Sequence, residues 1–92
     1  MPIEFDRAKD AANRKKHGVS LERAAAFDLR RVLTCPARTV QGEVRTHVIG
    51  DIDGTIYTAI VTERLGTLRI ISVRRASRKE RHQYDATIRH TG

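Results

Sequence analysis

Tryptophan is missing from the 92-residue sequence, and two Tyr and two Phe are its only aromatic residues. A core must therefore come from Ile, Val, Leu and Ala, which leaves little surplus and implies modest stability that a partner can supplement. The single cysteine, Cys35, rules out an intrachain disulfide framework, in keeping with a reducing compartment. No apolar run approaches the roughly 18 residues of a membrane span. The opening Met1-Pro-Ile-Glu-Phe-Asp6 has neither the basic start nor the apolar stretch of a secretory signal, so a cytoplasmic location without membrane association is expected. The six glycines are dispersed, and none opens a Gly-x-x-x-x-Gly-Lys phosphate loop, which argues against a nucleotide hydrolase. His17, His47, His82 and His90 include no i, i+4 pair, and no other ligand spacing accompanies Cys35, so neither a metal nor a cofactor is expected.

Acidic residues are scarce as well. Eleven Asp and Glu face 18 Lys and Arg, a formal charge of +7, and Arg supplies 14 of those cations. An excess of this kind is matched by a polyanion, and the planar donor fork of Arg suits phosphate oxygens in particular.

The length accommodates one domain, 1–92, of α+β class: two N-terminal helices, an antiparallel sheet of three to four strands, and a basic C-terminal helix. Ile3-Glu4-Phe5 reads as a short edge strand, and Asp6 caps a helix over Arg7 to Lys16 that Gly18 terminates. Ser20 caps a second helix over Leu21 to about Phe27. Between Asp28 and Gly42 neither period holds, which predicts mostly loop with a short strand at Arg31 to Thr34. Glu43 to Ile49, Ile56 to Arg64 and Thr67 to Arg74 are β-branched runs joined by the turn sequences Asp51-Ile-Asp-Gly54 and Leu65-Gly66, an antiparallel meander. Ser77-Arg-Lys-Glu80 has capping-box spacing before a basic helix to about Ile88, and His90-Thr-Gly92 is expected to fray.

Arginines concentrate in the second half. Strict alternation along the strand through Ile70 puts Arg69, Ile71, Val73 and Arg75 on one face and Leu68, Ile70, Ser72 and Arg74 on the other. Apolar residues on both faces predict a central strand covered on both sides. Arg45 and His47 share a face of the first long strand and present polar groups to a ligand. Against this stand plainer readings: a solvated face paired with Glu43, Glu63 and Glu80, a dipole contact for His17, a core anchor for Tyr84 and a packing role for Ser72.

Phe5-Asp6, Lys9, Asn13 and Lys16-His17-Gly18-Val19-Ser20, followed by Glu43, Arg45, Gly50, Arg69-Ile-Ile-Ser-Val-Arg-Arg-Ala76, Arg78, Glu80, Arg81 and Tyr84, give the chain a pattern that resembles the BrnT family of toxins. The resemblance spans residues 3 to about 85. It implies a RelE-like fold, cleavage of RNA that halts translation, a BrnA-type antitoxin, and an assembly of two toxins with two antitoxins. Leu21 stands where the family usually has an aromatic, and Asp28-Leu-Arg-Arg31 replaces a common Asp-Pro exit from the second helix.

RNA carries its own nucleophile, the 2′-hydroxyl, so a metal-independent endoribonuclease needs proton transfer and charge stabilisation at phosphorus. Arg64, Arg74 and Arg75 are the expected catalytic cations. His17 or Lys16 is expected to move the proton, with Glu43 and Tyr84 as further candidates. Arg45, Arg69, Arg78, Arg81 and Tyr84 are expected to bind RNA. With few rings to stack bases, sequence preference is weak or comes from another body such as the ribosome. A noncatalytic nucleic-acid-binding module and an inactive partner-binding homologue are the alternatives.

Overall fold

The computed structural model describes residues 3–89, so the expected fraying of His90-Thr91-Gly92 lies outside the described residues. The chain runs β1 (Ile3–Glu4), α1 (Arg7–His17), a 3₁₀ segment (Leu21–Ala26), β2 (Leu33–Val40), β3 (Glu43–Ile52), β4 (Thr55–Arg64), β5 (Thr67–Arg75), α2 (Arg78–Tyr84) and a π-helical stretch (Asp85–Arg89). The α+β class matches the sequence reading, while the strand count and helix layout differ. Five strands form one sheet in the order β1-β5-β4-β3-β2, and the parallel pairing of β1 with β5 makes the sheet mixed.

Helix ends follow local chemistry. Asp6 accepts from the backbone amides of Ala8 at 2.7 Å and Lys9 at 3.4 Å, and Gly18 closes α1 in the left-handed region at φ 72°. Ser77 and Glu80 make the reciprocal capping box that their spacing predicts. The second helix forms as a 3₁₀ segment capped by Ser20, and the C-terminal helix gives up α geometry at Asp85.

The antiparallel strands are joined by three two-residue turns, Gln41-Gly42, Asp53-Gly54 and Leu65-Gly66, in which both residues have positive φ. That geometry matches the right-handed twist of adjoining strands. Between Asp28 and Gly42, where neither period holds and mostly loop is expected, β2 pairs with β3 from Leu33↔Ile49 to Val40↔Glu43, and a register shift between Pro36 and Thr39 interrupts its alternation. Pro is tolerated there because β2 is an edge strand.

A second irregularity matters more for function. Opposite β4, Ile60 pairs with Ser72 and Val61 with Ile70, so Ile71 is an extra residue in β5. The bulge reverses the alternation. Leu68, Ile70, Val73 and Arg75 share one face and Arg69, Ser72 and Arg74 the other, in place of the strict alternation expected from the sequence. β4, not β5, is the central strand.

The first face carries the main core, where Leu21 and Ala24 of the 3₁₀ segment pack on Val48, Ile52, Tyr57, Ala59, Val61, Ile70 and Val73. Asn13 fixes α1 to the bulged strand: its Nδ2 donates to the carbonyls of Val19 and Val73, both at 2.8 Å, and its Oδ1 accepts from the Val73 amide at 3.2 Å. A buried amide engaged this way satisfies backbone groups of β5 beyond Leu68 and Arg69, the two residues that β1 covers. On the second face α2 covers only one end, where Ile49, Ile56, Ala76 and Tyr84 form a smaller cluster.

Candidate functional site

Beyond α2 the second face stays open, and Ile60 belongs to neither core cluster. Register sets out its side chains in transverse rows. Glu43 and Arg64 lie nearest the Leu65-Gly66 turn, joined by an ion pair at 3.2 Å. Thr62 pairs with Arg69 and Arg69 with Glu4, and the ladder that places Thr46 opposite Val61 brings Arg45 beside Thr62. The next row runs Cys35, His47, Ile60, Ser72 across four strands, and the one after it Leu33, Ile49, Thr58, Arg74. Neighbouring side chains in such rows stand roughly 5 Å apart at Cβ. Arg45, Arg64, Arg69 and Arg74, widely separated in sequence, thus meet on one surface with Glu43 and His47.

This face is not a bare cationic patch. Arg64 and Arg45 share Glu43, Arg69 faces Glu4 at 3.6 Å, and Arg74 is clamped by Glu80. Glu80 Oε1 accepts from Arg74 Nη1 at 2.7 Å, the Ser77 amide at 2.8 Å and Thr58 Oγ1 at 3.0 Å, while Oε2 accepts from Arg74 Nη2 at 2.9 Å. The bidentate Arg74 guanidinium above all, then the Ser77 amide and the Thr58 hydroxyl, hold the Glu80 carboxyl at about 2 despite its partial burial. The same pairing raises the affinity of Arg74 for its proton. Arg45 differs from the others. Its Nε is buried without a hydrogen-bond partner, since Glu43 Oε1 approaches only to 3.6 Å, beyond hydrogen-bonding range. A buried guanidinium N–H without a hydrogen bond leaves Arg45 less completely held than the other three arginines of this face.

The remaining sequence candidates do not join this group. The bulge turns Arg75 to the opposite face, in register with Tyr57, where it shares a cleft with His17 and Arg23. Lys16 is exposed on the last turn of α1, on that same side of the sheet. Arg78 and Arg81 are exposed on α2, and Arg81 Nη1 donates to the Ala76 carbonyl at 3.1 Å. Tyr84 is buried, with its hydroxyl donating to the Arg31 carbonyl at 3.0 Å, so its ring anchors α2 and cannot stack on a base. The sequence reading gave Arg23 no role. Its guanidinium lies 5.7 Å over the Tyr57 ring, a contact between distant segments with no local signature.

Among the described residues, no group of three or more His, Cys, Asp or Glu could hold a metal ion, and no helix is long and apolar enough to cross a membrane. A family profile described as ribonuclease toxin, BrnT, of type II toxin-antitoxin system matches residues 5–80. Among solved structures, the chain is similar to the ribonuclease toxin BrnT of Brucella abortus, with 27% identity and a TM-score of 0.69, over 85% of this chain and 99% of that one. No curated protein matches.

Proposed function

The chain belongs to the BrnT family of type II toxin-antitoxin ribonuclease toxins, and on that premise we propose that it cuts RNA on the open sheet face by metal-independent attack of the 2′-hydroxyl. The observation that carries this reading is the position of Arg45, whose Nε lacks a hydrogen bond, between Glu43 and His47 along one face of β3. Alternate residues of a strand are ~6.7 Å apart. A phosphate seated at Arg45 therefore has a carboxylate on one side and an imidazole on the other. In-line displacement needs that arrangement, because the attacking 2′-oxygen and the departing 5′-oxygen lie on opposite sides of phosphorus.

Glu43 takes the proton from the 2′-hydroxyl, and His47 delivers one to the leaving oxygen. The 2′-oxygen bonds to phosphorus as the bond to the 5′-oxygen breaks, which leaves a 2′,3′-cyclic phosphate and a free 5′-hydroxyl. Arg45, with Arg64 and Arg69 nearest to it and Arg74 two rows away on the same face, stabilises the charge gathering on the equatorial oxygens. The carboxylates of Glu4, Glu43 and Glu80 hold these guanidinium groups in place before substrate arrives, so little reorganisation accompanies reaction. This reading moves proton transfer from His17 and Lys16 to Glu43 and His47, and it leaves Arg75 outside the reacting centre.

The proposal extends to a RelE-like mode of action in the cytoplasm. RNA cleavage, free or on the ribosome, arrests translation, and a BrnA-type antitoxin neutralises the chain in an assembly of two toxins with two antitoxins. The carboxylate partners of Arg64, Arg69 and Arg74 favour a second reading, a noncatalytic RNA-binding module whose arginines serve structure. Incubating purified protein with RNA and with its 2′-deoxy copy, both in chelator, separates the two. The expected result is cutting of RNA alone, with cyclic phosphate ends. Binding without cutting, or equal cutting of both strands, overturns the proposed mechanism.

A further inference from the structure

We propose that a second basic groove, separate from the open sheet face, grips the phosphodiester backbone of RNA outside the point of cleavage; this rests on the reading of the chain as an RNA-cutting enzyme. Two clefts meet at the end of β5. One, of about 530 Å³, lies between the end of α1 and the sheet and includes His17, Arg23 and Arg75. The other, of about 450 Å³, lies between the Asp53-Gly54 turn and α2 and includes Arg75, Arg78, Arg81 and Arg89. Arg75 borders both.

Charge concentrates there. On the open face the arginines are matched by Glu4, Glu43 and Glu80, whereas Arg75, Arg78 and Arg81 have no ion pair among the described residues. Three guanidinium groups without a carboxylate partner thus border a concave surface, where they attract a polyanion more strongly than on a flat one.

Two features favour RNA over an acidic polypeptide. Each cleft contains one guanidinium propped on a tyrosine ring: Arg23 on Tyr57 and Arg89 on Tyr84, both at 5.7 Å from the ring centre. Arg89 is further fixed by Asp51 at 2.7 Å and Asp85 at 3.1 Å. Guanidinium planes can stack on bases, a role that the buried Tyr57 and Tyr84 rings cannot fill. An acidic peptide offers carboxylates for Arg75 and Arg78 but lacks the regular series of bases that Arg23 and Arg89 can stack on.

The test is fluorescence anisotropy with a fully 2′-O-methylated RNA of about 12 nucleotides, a length within the usual site size, which 2′-hydroxyl chemistry cannot cut. Relative to the unmodified chain, Arg75→Ala/Arg78→Ala is expected to bind at least about tenfold more weakly. Its slope of log affinity against log salt should be shallower by about 1.4, or roughly 0.7 for each lost phosphate contact. Arg78→Ala alone, at an exposed position, and Arg75→Gln are expected to give intermediate losses at an unchanged melting temperature. Unchanged affinity and slope overturn the groove, as does loss of binding to a Glu- and Asp-rich peptide with RNA binding intact, which would assign the surface to an acidic partner. The probe is inert to cleavage, so groove-dependent binding by a chain that cuts no RNA supports the groove while removing the nuclease reading. Cutting of unmodified RNA with groove-independent binding does the reverse.

Discussion

Replacing Glu80 with Gln tests the arrangement that fastens α2 to the open face and holds Arg74. The carboxylate takes four hydrogen bonds, two of them from the Arg74 guanidinium, and its side chain is only 13% exposed. A carboxyl held at about 2 in the folded chain, against 4.5 without these partners, corresponds to roughly 3 kcal/mol of stability at neutral pH. Because folding depresses its pKa, this stabilisation is fully present above about pH 4.5 and fades as pH falls toward 2. Glu80→Gln keeps the shape but removes the charge, so we expect a loss of about 2–3 kcal/mol at pH 7. For a domain of this size that lowers the melting temperature by roughly 10 to 20 °C. Circular dichroism melts of both chains between pH 7 and pH 2 read the effect, with the two stability curves converging through the acid range as the native carboxyl takes up its proton. A variant that melts with the unmodified chain at pH 7, or a gap that stays constant down to pH 2, would refute the reasoning.

Three further perturbations examine the sheet and its open face. Arg45→Ala is expected to slow RNA cleavage by about 100- to 1000-fold while leaving the melting temperature nearly unchanged, and an unaltered rate would remove Arg45 from the chemistry. Asn13→Ala strands the Val73 amide and carbonyl in the core, so at least about 2 kcal/mol of stability and much of the hydrogen-exchange protection at Val73 should be lost. Full protection there would show that the bulge holds without α1. Gly50→Ala places a methyl group 2.7 Å from Phe27 Cδ1 and 2.9 Å from Val32 Cγ1, an overpacking expected to cost about 1–3 kcal/mol in a denaturant titration, with no change counting against the close approach.

The parts of this protein visible in its sequence are those governed by short-range physics. Asp6, Gly18, Ser20 and the Ser77/Glu80 pair mark helix ends because each satisfies backbone groups within a few residues of itself. Asp53-Gly54 and Leu65-Gly66 mark hairpins because two residues with positive φ suffice to reverse a strand. The excess of Arg, and hence a polyanionic counterpart, follows from counting. β2 was obscured because an edge strand tolerates a Pro and an irregular register, which erase the alternation that would have revealed it. The short β1 was legible as a strand, but its parallel pairing with β5 was not, because its partner lies more than sixty residues away.

Which arginines share a surface was decided by tertiary structure. One extra residue at Ile71 inverts the faces of β5 between Ile70 and Val73, which sends Arg74 to the open face beside Arg69 and Arg75 to the opposite clefts. Nothing in Arg69-Ile-Ile-Ser-Val-Arg-Arg75 announces that bulge. It is set by pairing with β4, and Asn13, sixty residues away, holds the Val73 backbone just beyond it. Composition and local spacing fixed the charge, the caps and the tight turns, since those energies arise between near neighbours. The placement of individual guanidinium groups rests on hydrogen bonds that form only once distant segments have come together.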